Sequence, residues 1–131
     1  MKNKSLLGQT KTHRYKVREE DFASFESVIV HSVVSTFALG REMEWASRLF
    51  AIEMREKEEE GIGTFLEIRH LSPAIKGADL IIKAKLTGIV NNEIVCEVEV
   101  LQGERIIANG RTGQKMVKTT KLMQIFTSLE R

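Results

Sequence analysis

Hydrophobic and polar positions divide this chain into one helical stretch and several alternating ones. Across residues 35–60 the sequence reads STFALGREMEWASRLFAIEMREKEEE. Wound at helical pitch, Met43, Trp45, Ala46, Leu49, Phe50, Ile52 and Met54 fall on one broad face. Arg41, Glu42, Arg48, Glu53, Arg55 and Glu56 fall on the other. Such a helix must bury its apolar face on another element. The spacing predicts a start near residues 37–39, with Ser35 or Thr36 offering a capping hydroxyl. The helix fades in the acidic run 57–60, which opposes the helix dipole, and stops at Gly61-Ile62-Gly63.

Elsewhere the period is two. Residues 11–17 set Thr12, Arg14 and Lys16 against His13, Tyr15 and Val17, which predicts a strand with one buried face. Residues 64–71 form a second strand, ended by Ser72-Pro73. Residues 79–90 and 93–101 alternate clearly, with Asn91-Asn92 between them as a hairpin signal. Lysines of the first and glutamates of the second point outward, as suits an antiparallel pair. Residues 105–117 make the last strand, which Gly110 and Gly113 mark as bulged or bent. Residues 1–8 read as a loose start, 22–32 as a short helix or ordered loop, and 118–131 as a short docked helix or a tail. The implied class is α+β, with an antiparallel sheet wrapped around one long central helix. That is the hotdog arrangement, in a single domain over 1–131.

Composition narrows the partners. A length of 131 residues, 42% hydrophobic and 29% charged, suits one ordinary globular core. The net charge of +2 is spread among interspersed signs and makes no case for nucleic acid. No run approaches a signal peptide or a membrane span, so the expected location is the cytoplasm. The single cysteine, Cys96, excludes an internal disulfide and a cysteine-rich metal site. Its place in an alternating strand makes it a small buried hydrophobe. No metal or cofactor is expected, Trp45 reads as core, and His13 has no evident partner.

Three polar residues carry the candidate chemistry: Thr36, Glu44 and His70. Each has a plainer reading. Thr36 suits a helix cap. Glu44 falls on the polar side of the helix, four residues before Arg48, where a solvated ion pair is the usual meaning. His70 ends a strand before Ser72-Pro73.

Together with their surroundings these residues resemble a known family. Thr36 stands eight residues before the glutamate of Met43-Glu44-Trp45-Ala46. A Gly63-Thr64 strand follows and ends in His70, and Pro73 and Gly77 mark the next turn. This pattern is similar to that of the thioesterases related to fluoroacetyl-CoA thioesterase, which are hotdog-fold enzymes. The resemblance covers about residues 12–117. It implies hydrolysis of a small acyl-CoA by a Thr36, Glu44 and His70 triad, with coenzyme A as part of the substrate. Glu44 would act as base or as nucleophile, and His70 would relay a proton or polarise the carbonyl. Backbone N–H groups around residues 39–41 would receive the oxyanion.

The family also implies a homodimer with its active sites at the subunit interface. Glu44 shares its side of the helix with the small residues Ser47 and Ala51, a surface that a second subunit could cover. Substrate contacts are expected from Phe22 and Phe25, which precede Thr36, from Gly63, and from Arg111 and Lys115. The last strand departs from the pattern. Gly110-Arg111-Thr112-Gly113-Gln114-Lys115 lacks the histidine and arginine that relatives often carry there. Fluoroacetate specificity is therefore not carried over, and a non-catalytic acyl-CoA-binding module is the alternative.

Overall fold

A strip of apolar side chains along α1 (Thr36–Met54) settles where the core lies. Leu39, Met43, Ala46, Phe50 and Met54 are each at most 1% exposed. They pack on inward-facing rows from the strands: Leu80, Ile82, Ala84 and Leu86; Ile94, Cys96, Val98 and Val100; and Ile107, Ala108 and Met116. Each large side chain buried this way contributes about 1.5–3 kcal/mol. The structure is a computed structural model that describes residues 1–26 and 28–130.

The strands are β1 (Thr10–Lys16), β2 (Phe22–Phe25), β3 (Val28–Val34), β4 (Glu59–His70), β5 (Asp79–Val90), β6 (Glu93–Gln102) and β7 (Arg105–Lys118). Five of them form an antiparallel sheet in the order β1-β5-β6-β7-β4. This sheet, with α1 against one face, has the expected α+β hotdog architecture. The predicted charge ladder is present, with Lys83 opposite Glu99 and Lys85 opposite Glu97. Strand β4 is one edge of the sheet, and among the described residues no strand pairs with its outer side.

Several expectations are corrected. Residues 22–34 are neither helix nor loop but the two-stranded sheet of β2 and β3. The acidic run does not fray from the helix. Helix α1 ends at Met54, and Glu59 and Glu60 already belong to β4. Arg48 Nη2 holds Glu60 Oε1 at 2.9 Å, and the Lys2 N–H caps the helix end by donating to Met54 O at 2.7 Å. That contact and the Gly8 N–H bond to Leu86 O, 2.7 Å, also tie down the supposedly loose start. The irregularity of β7 opposite β6 falls at Ile107, and the one opposite β7 lies in β4 at Thr64, so neither glycine is itself the bulge. C-terminal residues form helix α2 (Thr119–Leu129), none of which is buried.

The apolar face of α1 is narrower than its sequence implies. Trp45 and Ile52 are 43% and 49% exposed. Ser47 and Ala51, expected beneath a second subunit, are each 1% exposed and pack on the chain's own sheet. Ser47 Oγ accepts from Thr112 Oγ1 at 2.6 Å and donates to Met43 O at 3.1 Å. Glu42, read as outward, is buried and lies 2.9 Å from Nε2 of His13, the histidine that lacked a partner.

Candidate active site

Helix α1 runs antiparallel along the edge strand β4, and the candidate residues lie on this seam. Residues four apart on a helix share a face. Here that face is Thr36, Gly40, Glu44 and Arg48. Thr36 Oγ1 meets His70 Nδ1 at 3.1 Å. Gly40 faces Leu66, whose Cδ2 would stand 2.9 Å from a side-chain carbon at residue 40. A side chain at residue 40 would make the tip of Leu66 shift. Glu44 faces Gly63, where an added Cβ would lie 3.5 Å from Glu44 Oε1. Arg48 Nη1 donates to Gly61 O at 3.0 Å.

The structure thus joins two of the three candidate residues and separates the third. Thr36 and His70 form a pair at one end of the seam. Glu44 lies two turns away, about 12 Å along the axis for eight residues at helical rise. Its carboxylate is in an exposed residue and makes no ion pair among the described residues. The expected partner, Arg48, is instead engaged by Gly61 O and Glu60. Glu44 borders a small hollow of about 230 Å³ with Arg41, Trp45, Arg48, Gly63 and Gln114.

Local sequence explains how Thr36 comes to be free. Ser35, not Thr36, caps the helix: its Oγ accepts from the Ala38 N–H at 3.0 Å. The Leu39 N–H is already spent on Ser35 O, 3.1 Å. The helix therefore begins earlier than its periodicity predicts. The amides expected to be free at residues 39–41 are bonded within it, and those of Thr36 and Phe37 have no acceptor among the described residues.

Phe22, Phe25, Thr36 and Phe37 line a groove of about 540 Å³ between the β2–β3 hairpin and the start of α1. Phe25 and Phe37 are 64% and 79% exposed. Arg41 lies on the groove wall, but its guanidinium is occupied by Glu42 at 2.6 Å and by Asp21 and Tyr15 Oη at 3.0 Å each. Those partners hold its pKa above the ordinary value, the bond to Glu42 contributing most.

Arg111 and Lys115 fall on the opposite face of β7 from the inward Thr112, Gln114 and Met116. Arg111 is paired there with Glu67 at 3.1 and 3.2 Å. It borders a shallow depression whose lysines and glutamates are interspersed. The missing last-strand histidine and arginine leave Thr112, which bonds Ser47, and Gln114, whose Nε2 lies 3.5 Å from Glu44 O. Gln114 Oε1 is buried and has no partner among the described residues. Sequence spacing alone did not identify Gln114, Gly40 or Asp21, because their importance lies in contacts distant along the chain.

A family model described as fluoroacetyl-CoA-specific thioesterase matches residues 17–120. No curated protein matches the chain. Among solved structures, a thioesterase superfamily member from Thermus thermophilus is 29% identical, with a TM-score of 0.91 over 95% of this chain and 92% of that one. A hot-dog-like protein from Thermanaerovibrio acidaminovorans is 19% identical, with a TM-score of 0.90 over 100% and 98% of the two chains. The fluoroacetyl-CoA thioesterase structure is 19% identical, with a TM-score of 0.86 over 95% and 97%. A mutant of that enzyme is known in complex with fluoroacetate and CoA.

Proposed function

The chain belongs to the fluoroacetyl-CoA-specific thioesterase family and is a thioester hydrolase, and on that basis we propose that it hydrolyses a small acyl-CoA at a site shared by two copies. One copy supplies Glu44 and the other the Thr36–His70 pair. The observation that carries this reading is their arrangement on the seam. Thr36 and His70 lie at one end, Glu44 has no ion-pair partner farther along, and no strand pairs with the outer edge of β4 beside them, among the described residues. Antiparallel pairing of two β4 edges about a point between Leu66 and Glu67 would set one copy's His70 opposite the other's Gly63, beside its Glu44. Exposed Trp45 and Leu66 on the same side favour such a contact.

Thioester hydrolysis then needs little rearrangement. Glu44 either takes a proton from the attacking water or attacks the carbonyl carbon itself. Attack by Glu44 expels CoA and leaves a glutamyl–acyl anhydride. In a single turnover in H₂¹⁸O, label in the Glu44 carboxylate marks water opening that anhydride at the glutamyl carbon, a result general-base catalysis does not give. The Thr36 and Phe37 amides at the helix start face the developing oxyanion. His70, held by Thr36, delivers a proton to the departing CoA sulfur. Phe22 and Phe25 contact the acyl group, and Gly63 leaves the strand open beside Glu44. Arg111 and Lys115 remain our assignment for the CoA phosphates, reached across the β4 edge.

The test is a panel of acyl-CoAs with released thiol as readout. Wild type is expected to turn over at least one member, and Glu44→Ala to lose at least about a hundredfold, the scale for one positioned acid or base. Turnover indifferent to Glu44→Ala would remove its assigned role. Binding without turnover across the panel would favour the non-catalytic module.

A further inference from the structure

Among the described residues, two apolar surfaces have no partner within the chain. The first is α2. Leu122, Ile125, Phe126 and Leu129 recur at the spacing of a single helical face. Met123, Ile125, Phe126 and Leu129 are 57%, 46%, 49% and 75% exposed. The second is the β2–β3 hairpin with the helix start, where Phe25, Val28, Ile29, Val30 and Phe37 are all at least half exposed. Exposed apolar patches on this scale mark contact surfaces.

Their positions identify what covers them. Helix α2 leaves the sheet at the Glu59 end of β4: Lys118 pairs with Glu59, and the Thr119 N–H donates to Glu58 O at 2.8 Å. The hairpin lies at the other end, where Thr36 meets His70 at 3.1 Å and the Val34 N–H donates to Ala74 O at 2.8 Å. The 12 residues of β4 between them span about 40 Å. An 11-residue helix is only about 16 Å long. This chain's α2 therefore does not reach its own hairpin. A two-fold axis through the middle of β4 exchanges the strand's ends and brings the α2 of a second copy to the hairpin of the first.

We propose that α2 of a second copy docks its Leu122, Ile125, Phe126 and Leu129 face on the β2–β3 hairpin and roofs the groove beside Thr36. This rests on the reading that two copies pair along β4. The occupant of both patches is then the same chain, and each site is built from four parts: the hairpin and Thr36–His70 pair of one copy, and Glu44 and α2 of the other. The groove becomes a closed apolar chamber only in the dimer.

The test uses two full-length chains with different tags, one carrying Phe25→Cys and the other Phe126→Cys, co-expressed and treated with a short bismaleimide. Both positions are exposed, so neither substitution disturbs the core. The native Cys96 is buried, and burial pushes its thiol up to about 11, which keeps it slow to react. A crosslinked species carrying both tags is expected from the mixed preparation and none from either variant alone. Light scattering on the uncrosslinked sample separates the two ideas. A dimer without crosslink overturns the α2 docking and leaves the pairing along β4 standing. A monomer overturns both.

Discussion

Asp21 is not singled out by any motif, yet its side chain is fully shielded. Its Oδ2 accepts from Tyr15 Oη at 2.5 Å and from the Arg18 N–H at 2.9 Å, and Oδ1 accepts from Arg41 at 3.0 Å. Its carbonyl accepts from the Ser35 N–H at 2.7 Å, so one residue pins both ends of the hairpin and the helix cap. Burial alone would push the carboxyl pKa up. The bonds from Tyr15, the Arg18 amide and the two arginines outweigh it and hold the value below the ordinary 3.8. A depressed folded-state pKa adds stability above the ordinary value and loses it as pH falls through the folded one. Asp21→Asn is therefore expected to cost about 2–3 kcal/mol at neutral pH. The difference from wild type shrinks in acid, below pH 3.8. Urea unfolding of both proteins from neutral pH down through this range checks it. A gap that does not change with pH would show that Asp21 acts by shape and not by charge.

At the scale of elements, β4 depends on how closely its backbone approaches β7. Gly40 leaves room for the Leu66 side chain on the helix side, while Gly110 is set against the backbone of β4 itself. A Cβ at residue 110 would lie 1.8 Å from Glu67 O, too close for any rotamer to relieve. Gly110→Ala is expected to cost about 1–3 kcal/mol or more as the strands separate. Amide exchange should quicken across β4 before β5 and β6, and uniform protection would argue against this local effect. Strands β1, β5, β6 and β7 were legible within a residue or so because each alternates against a single covered face. The β2–β3 hairpin was not. Its register shifts at Phe22/Ala23 and again at Ala23/Ser24, which breaks the period of two, and much of it faces outward. The start of β4 was hidden for another reason. Glu59 and Glu60 look like helix-terminal charge, but they are held opposite Lys118 and Val117 by a strand more than 50 residues away.

At the scale of the molecule, subunit mixing directly tests the proposal that two copies share each site. Glu44→Gln and His70→Ala are each expected to be inactive alone. Refolded together, they assort at random. If each site takes Glu44 from one copy and His70 from the other, a mixed dimer regains one intact site, and the preparation recovers roughly a quarter of wild-type activity. If each site lies within one chain, nothing is recovered. The same experiment with Thr36→Ala in place of His70→Ala should give the same recovery, because Thr36 and His70 lie 3.1 Å apart on one copy.

What the amino-acid sequence determined by itself was local: the helix, the alternating strands, the antiparallel hairpin from β5 to β6, and the Thr36, Glu44 and His70 set that resembles a thioesterase. Periodicity reports that two faces of an element differ in polarity. It does not report what covers each face. Only the tertiary structure decided that Ser47 and Ala51 face the chain's own sheet, that Trp45 stays outside, and that Glu42 pairs with His13. It also decided that Glu44 is left without its i,i+4 partner, because Arg48 finds a carbonyl and a carboxylate on β4. These outcomes depend on which strand ends up beside the helix, and residues from 59 to 70 and from 105 to 118 settle that together.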